Sequence, residues 1–366
     1  MSGGRKTEDG GRRTEDGSRL APPRVPVRPR FRSLSLFCRI GLTAGFAFTA
    51  IAPVTAETST SRHDVLVVVG APGAPEFETG FAAAAGQWRA ACEAAGAACT
   101  TVGIGMDASS ADAADREAIS AWFAGLDAAS PRPVWFVYLG HGTWDGREAR
   151  LNLRGDDLTG TELRLLLAPL GERPVVVVHG GSASGPLVPL LAGPNRILVT
   201  ATTSGDEVNY ARFGERFAEA IGSPAGAGDL DMDGQTSVLE AFVAAARGVE
   251  MFYAQEGRMA TEHALIEDNG DGRGTPAEFF RGTRTVARAT DRAEPDGTRA
   301  RRLALLESPA ERLLTDEQRT RRDTLENELD ALRARKGAMP EADYLRELER
   351  LLRALAAIYG GPHEDS

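Results

Sequence analysis

The feature that most constrains this chain is a repeated switch of hydrophobic period. From Asp64 onward, short strand-type runs at Val65–Val69, Thr100–Ile104, Val134–Leu139, Val175–His179 and Ile197–Ala201 alternate with longer stretches of helical spacing. Continuous Val runs leave no polar side to face water, so the strands they form are expected to be buried on both faces, as in a parallel sheet. The spacing predicts helices at about Glu78–Ala95, Ala113–Ala128, Thr161–Leu170, Pro186–Leu191 and Arg212–Ile221, one after each strand. Such alternation predicts an α/β fold over residues 64–222, three layers deep with a mostly parallel sheet in the middle. A small β excursion is expected at Ala149–Asp157, ahead of the third helix.

What precedes that body reads as an address. Residues 1–33 repeat a Thr-Glu-Asp-Gly unit and then turn Pro/Arg-rich, a composition with too little apolar surface to order itself. Residues 34–56 are apolar and end at Val54-Thr55-Ala56, the small-x-small exit of a secretory signal. Export to a periplasm or the medium is therefore expected. The alternative is an uncleaved membrane anchor, against which Arg39 and the small-residue exit argue.

Charge narrows the partners. The chain of 366 residues carries a net −10, and its first 56 residues hold ten basic and four acidic groups. Of the 42 basic and 52 acidic residues, 32 and 48 thus lie in the body, which carries −16. An excess of that size disfavours nucleic acid and suits divalent cations. Cys38 leaves with the leader; Cys92 and Cys99 remain, and their spacing is compatible with a disulfide or with two buried thiols.

Beyond residue 223 the style changes. Residues 223–280 hold two acidic loops and a helix at Val238–Gln255, residues 281–300 read as a linker, and residues 301–360 carry helical Leu spacing twice. The two Leu series, 325/329/332 and 345/348/352/355, are separated by Gly337-Ala338-Met339-Pro340 and predict a charged, coiled-coil helical hairpin.

The first acidic loop, Asp229 to Glu240, matches the twelve-residue EF-hand calcium loop. Asp229, Asp231 and Asp233 stand at positions 1, 3 and 5, Gly234 at the turn, Gln235 at position 7 and Glu240 at position 12. Ca2+ needs six to eight oxygens, and one chain reversal of this kind supplies most of them. No incoming helix is visible in Ser223–Gly228, so a structural site is expected rather than a sensor that opens. The second loop repeats the scheme with Glu267, Asn269, Asp271 and Glu278, which reads either as a second Ca2+ site or as a solvated Asn-Gly/Asp-Gly turn.

Two strand ends are unusual. The third predicted strand runs into Gly140-His141-Gly142, and the fourth into His179-Gly180-Gly181-Ser182-Ala183-Ser184-Gly185. Open α/β sheets gather their chemistry at the carboxyl ends of strands. An apolar strand into Gly-His-Gly, a β excursion and helix, then a strand into a Ser-Gly loop resembles the caspase-like and legumain-like cysteine peptidases, over roughly Asp64–Ile221. The resemblance implies a caspase-like fold, with His141 as general base, Gly142 lending its N–H to an oxyanion hole, and Ser182 standing where the nucleophilic Cys would be. A thiol is ionised by a neighbouring imidazole, whereas a serine hydroxyl needs an oriented base and an oxyanion hole as well. The departure at Ser182 therefore implies a degenerate, non-catalytic relative that binds a peptide or protein ligand. The competing expectation is a peptidase or esterase using Ser182 and His141. No Gly-x-Ser-x-Gly elbow is present, nor a Gly-x-Gly-x-x-Gly after the first strand, so α/β-hydrolase and dinucleotide chemistry are not expected.

Overall fold

A computed structural model of the chain describes residues 62–104, 114–223, 228–287 and 296–360. The leader, its cleavage motif and Cys38 lie outside the described residues.

The first strand, β1 (Asp64–Val69), is followed by α1 (Pro75–Ala95), β2 (Ala98–Val102), α2 (Ala114–Ala124) and β3 (Val134–Leu139). The β excursion resolves into β4 (Gly142–Trp144), β5 (Ala149–Leu151) and β6 (Leu158–Thr159), an antiparallel three-stranded sheet of its own. Then come α3 (Gly160–Leu167), β7 (Val175–His179), α4 (Leu187–Leu191), β8 (Arg196–Thr200), α5 (Phe213–Ile221) and α6 (Val238–Gln255). The main sheet is closed by β9 (Leu265–Glu267) and β10 (Thr275–Pro276), in the order β10-β9-β8-β7-β3-β1-β2. The five strands from β8 to β2 are parallel, and the β9–β10 hairpin is added antiparallel to β8.

The pleat explains the layers, because alternate residues of each run face opposite sides. Val65, Val67 and Val69 pack with α1, α5 and α6 through Trp88, Phe217 and Phe242, while Leu66 and Val68 pack with α2 and α3 through Ile119, Phe123 and Leu163. The α/β/α arrangement with a mostly parallel sheet is thus as the hydrophobic periods predict. The α/β core runs further than residue 222: α6 and β9 bury Phe242, Val249 and Ile266 in the same cluster as the sheet.

The tail contains β11 (Phe280–Arg281), β12 (Arg284–Thr285), α7 (Pro309–Leu313), α8 (Asp316–Ala334) and α9 (Glu341–Tyr359). Helices α8 and α9 share a small core of Leu325, Leu329, Leu332, Tyr344 and Leu351. Glu311 of α7 ties both to the body: it pairs with Arg322 of α8 and accepts from the Tyr359 hydroxyl of α9 at 3.0 Å. Reciprocal side-chain caps hold residues 296–300 against β9. Asp268 accepts from the N–H groups of Gly297, Arg299 and Ala300, and Asp296 from those of Asp268 and Asn269. Cys92 and Cys99 are free thiols, with the Cys92 thiol pushed up by its hydrogen bond to Cys99 and by burial. Among the described residues no helix is long and apolar enough to cross a membrane.

Candidate functional site

Strands β3 and β7 are neighbours, with Tyr138 opposite His179, so the Gly-His-Gly and Ser-Gly loops leave the same edge of the sheet side by side. Glycine is required for that approach. A Cβ on Gly181 would stand 1.9 Å from the Gly140 carbonyl oxygen, and one on Gly142 would stand 2.3 Å from that of Ser182.

In this crowded seam Ser182 is buried, 2% exposed, and engages Gly142 twice. The Gly142 N–H donates to Ser182 Oγ at 3.3 Å, and the Ser182 hydroxyl donates to the Gly142 carbonyl at 3.2 Å. His141 looks elsewhere. Its Nε2 lies 3.2 Å from the Pro72 carbonyl in the loop after β1, and its ring sits edge-on to Phe77, Phe81 and Tyr210 at 5.0, 5.4 and 5.9 Å. A carbonyl can only accept, so Nε2 carries the proton and the ring is held by main chain rather than by a carboxylate. No hydrogen bond joins His141 to Ser182 among the described residues.

Asp145, the nearest carboxylate along the chain, is spent on its own turn. It accepts from the N–H groups of Arg147 and Glu148 and pairs with Arg150 at 2.8 Å, which holds its carboxyl down at about 2. His179 is the other imidazole at this edge. Burial lowers its pKa to about 4, and its Nδ1 accepts from the Gly181 N–H at 3.2 Å, so it is a neutral packing group beneath the glycine seam. Ala183 takes a left-handed φ of 51° and donates to the Glu207 carbonyl at 2.9 Å; Ser184 bonds Thr202 at 3.0 Å. The Pro72 carbonyl was invisible to side-chain reasoning, because every residue carries one and only folding selects which is used.

The acidic loops form a second centre. Asp229 accepts from the N–H groups of Asp233 (3.1 Å) and Gly234 (3.0 Å), and Asp233 from that of Gln235 (3.0 Å). These bonds curl the chain so that one carboxylate oxygen each from Asp229, Asp231 and Asp233 lie within 4.8 Å of one another. Glu240 reaches back from the first turn of α6. Its carboxylate accepts from Leu230 N (2.7 Å), Asp231 N (3.2 Å), Ser237 N (2.9 Å) and Ser237 Oγ (2.8 Å), so it closes the loop and caps the helix together. Asp231 is pushed up to about 7, first by burial and then by the carboxylates of Glu240, Asp233 and Asp229. Converging carboxylates with no cation among them repel, which is the electrostatic state a divalent ion relieves. The Gln235 side chain instead bridges Asp233 to the N–H of Ser308 at the start of α7.

In the β9–β10 loop, Glu267 accepts from Gly270 N (2.5 Å) and Gly272 N (3.5 Å), Asn269 from Asp271 N (2.8 Å), and Asp271 from Arg273 N (2.8 Å). The ladder repeats that of the first loop, and Glu267 is fully buried with Oε2 unbonded. Glu278 is not brought to it. Pairing of Thr275 with Ile266 and Pro276 with Leu265 carries the chain back along β9, and Glu278 lies at the rim of a separate cavity with Glu250 and His263. An EF-hand returns its twelfth residue on a helix; here a strand intervenes.

No family model matches the chain, and no curated protein does. Among solved structures it is similar to caspase-1 from Spodoptera frugiperda, at 11% identity and a TM-score of 0.36, covering 57% of this chain and 89% of that one. It is also similar to the Drosophila initiator caspase Dronc, at 11% identity and a TM-score of 0.33, covering 58% of this chain and 83% of that one.

Proposed function

We propose that this is an exported, non-catalytic recognition or scaffold protein, built on a peptidase-like α/β domain and stabilised by calcium at its acidic loops. The observation that carries the first part is the closed pair of hydrogen bonds between Ser182 and Gly142. A serine nucleophile needs its proton directed at a base and a free N–H pair awaiting the oxyanion. Here the hydroxyl proton is given to the Gly142 carbonyl, the Gly142 N–H is given to Ser182 itself, and the imidazole of His141 faces Pro72. What the edge retains is a surface: the half-buried His141, Trp144, Phe77 and Tyr210 beside a rigid glycine seam, suited to a peptide segment.

A fluorophosphonate probe tests the reading. No labelling is expected with or without calcium; labelling that disappears in Ser182→Ala establishes the serine hydrolase instead.

The calcium part is supported by the convergence of Asp229, Asp231 and Asp233 with Glu240 closing the loop, an all-oxygen donor set of the hard kind Ca2+ prefers. The ion would be held there and by main-chain oxygen, joining groups that otherwise repel. Melting is expected to shift upward with calcium and return with a chelator, and the shift is expected to vanish in Asp231→Ala Asp233→Ala. An unchanged melting temperature on adding calcium removes the metal from the reading.

A further inference from the structure

We propose that the cavity of about 160 Å3 between α6, the segment leading into β9 and the turn after β10 receives the cationic side chain of a lysine- or arginine-bearing peptide. The floor is made by Ala201, Phe213, Ala246 and Val249 together with the buried Glu262, whose carboxylate is taken by the N–H groups of Arg212 and Phe213 and by the Tyr253 hydroxyl. The rim carries Glu250, Glu278 and His263, and every polar atom it leaves unspent is an acceptor. Glu250 and Glu278 are exposed and take no hydrogen bond or ion pair from the described residues. His263 Nδ1 lies 2.8 Å from Glu207 Oε1; a carboxylate offers only lone pairs, so Nδ1 carries a proton, and in the neutral imidazole Nε2 is left as an acceptor. Glu207 is itself fixed by the N–H groups of Thr203 and His263 and the Thr203 hydroxyl, so the imidazole is held in that orientation.

No lysine or arginine lines the cavity. An anion is repelled there, and a bare divalent ion finds hydrocarbon and a spent carboxylate on the floor where it needs oxygens. A methylene stem ending in an ammonium or guanidinium matches both parts: carbon against the floor, several N–H donors against the rim. The volume fits one side chain rather than a drug-sized ligand. The rim is also joined to the strand-end seam, because the Glu207 carbonyl accepts from Ala183, next to Ser182. The proposal rests on the recognition role above in one respect, that the cation arrives on a peptide.

Fluorescence polarisation of the full chain with fluorescein-labelled Ala-Ala-Lys-Ala-Ala and its norleucine analogue tests it. The lysine peptide is expected to bind about tenfold or more tightly than the norleucine one, and Glu250→Gln Glu278→Gln is expected to erase that difference without changing the melting temperature. Equal binding of the two peptides, or a preference that survives the double variant, overturns the cation site. Equal binding that weakens in Trp144→Ala overturns it while leaving peptide recognition standing. If neither peptide binds but n-butylammonium raises the melting temperature of the wild type and not of the double variant, the pocket is real and the peptide as its carrier is overturned. No response to any of the three probes removes both readings.

Discussion

Glu240 is where loop, helix and proposed metal meet, and replacing it with Gln separates their contributions. The side chain is 1% exposed and its two oxygens accept from four donors. A glutamine carbonyl can keep one pair of those bonds, but its amide then turns N–H groups toward the other pair. Two hydrogen bonds to a charged acceptor are lost, at about 1.5 kcal/mol each, so the metal-free variant is expected to be about 3 kcal/mol less stable. For a domain of this size that is a fall in melting temperature of about 6 °C. Calcium at a hundred times its dissociation constant should add about 2.7 kcal/mol to the wild type and less to the variant, whose loop no longer holds the Leu230 and Asp231 main chain in place beneath the three carboxylates. Differential scanning calorimetry of both proteins, in chelator and in calcium, reads all four states. A metal-free variant melting within about 1 °C of the wild type would falsify the description of Glu240 as the closing group. A destabilised variant with the full calcium response would show that Glu240 stabilises the loop without ordering the metal site.

His179 makes a pH prediction. Its folded pKa of about 4 lies below the ordinary 6.5, so the unfolded chain binds the extra proton and the stability present above pH 6.5 is lost as pH falls toward 4. The loss is about 3 kcal/mol for this fully buried ring, and urea titrations should show it shrinking in His179→Asn. Gly181→Ala, whose new Cβ meets the Gly140 carbonyl oxygen at 1.9 Å, should cost about 3 kcal/mol or more by chemical denaturation, although alanine changes no polarity. Glu311→Ala takes from Arg322, itself 7% exposed, one of its two carboxylate partners and leaves it Asp323; it should cost about 2 kcal/mol and make the α8–α9 hairpin an early site of limited proteolysis. Hairpin release at wild-type rates would refute that role for Glu311.

Particular elements show how far a one-dimensional reading reaches. Val134–Leu139 and Val175–His179 coincide with the expected strands residue for residue, and Val238–Gln255 with the expected helix, since long apolar runs and caps act locally. Strand β9 went unseen: three residues, Leu265 to Glu267, have no period, and only the exposed edge of β8 makes them a strand. Helix α7 is five residues long; Ser308 caps it and Pro309 opens it, but a single turn is too short for any apolar period to mark.

The same division runs through the chemistry. The order of amino acids by itself determined the α/β class, the position of the glycine-rich strand ends and the carboxylate spacing at Asp229, Asp231 and Asp233, because burial period and turn chemistry are properties of neighbouring residues. Tertiary structure alone decided that the Ser182 hydroxyl turns to Gly142, that the Pro72 carbonyl accepts from His141 Nε2, and that Glu278 stands with Glu250 and His263 instead of in its own loop. Those choices depend on which main-chain groups and strand edges come within hydrogen-bonding reach across the fold, a distance that no spacing along the chain encodes.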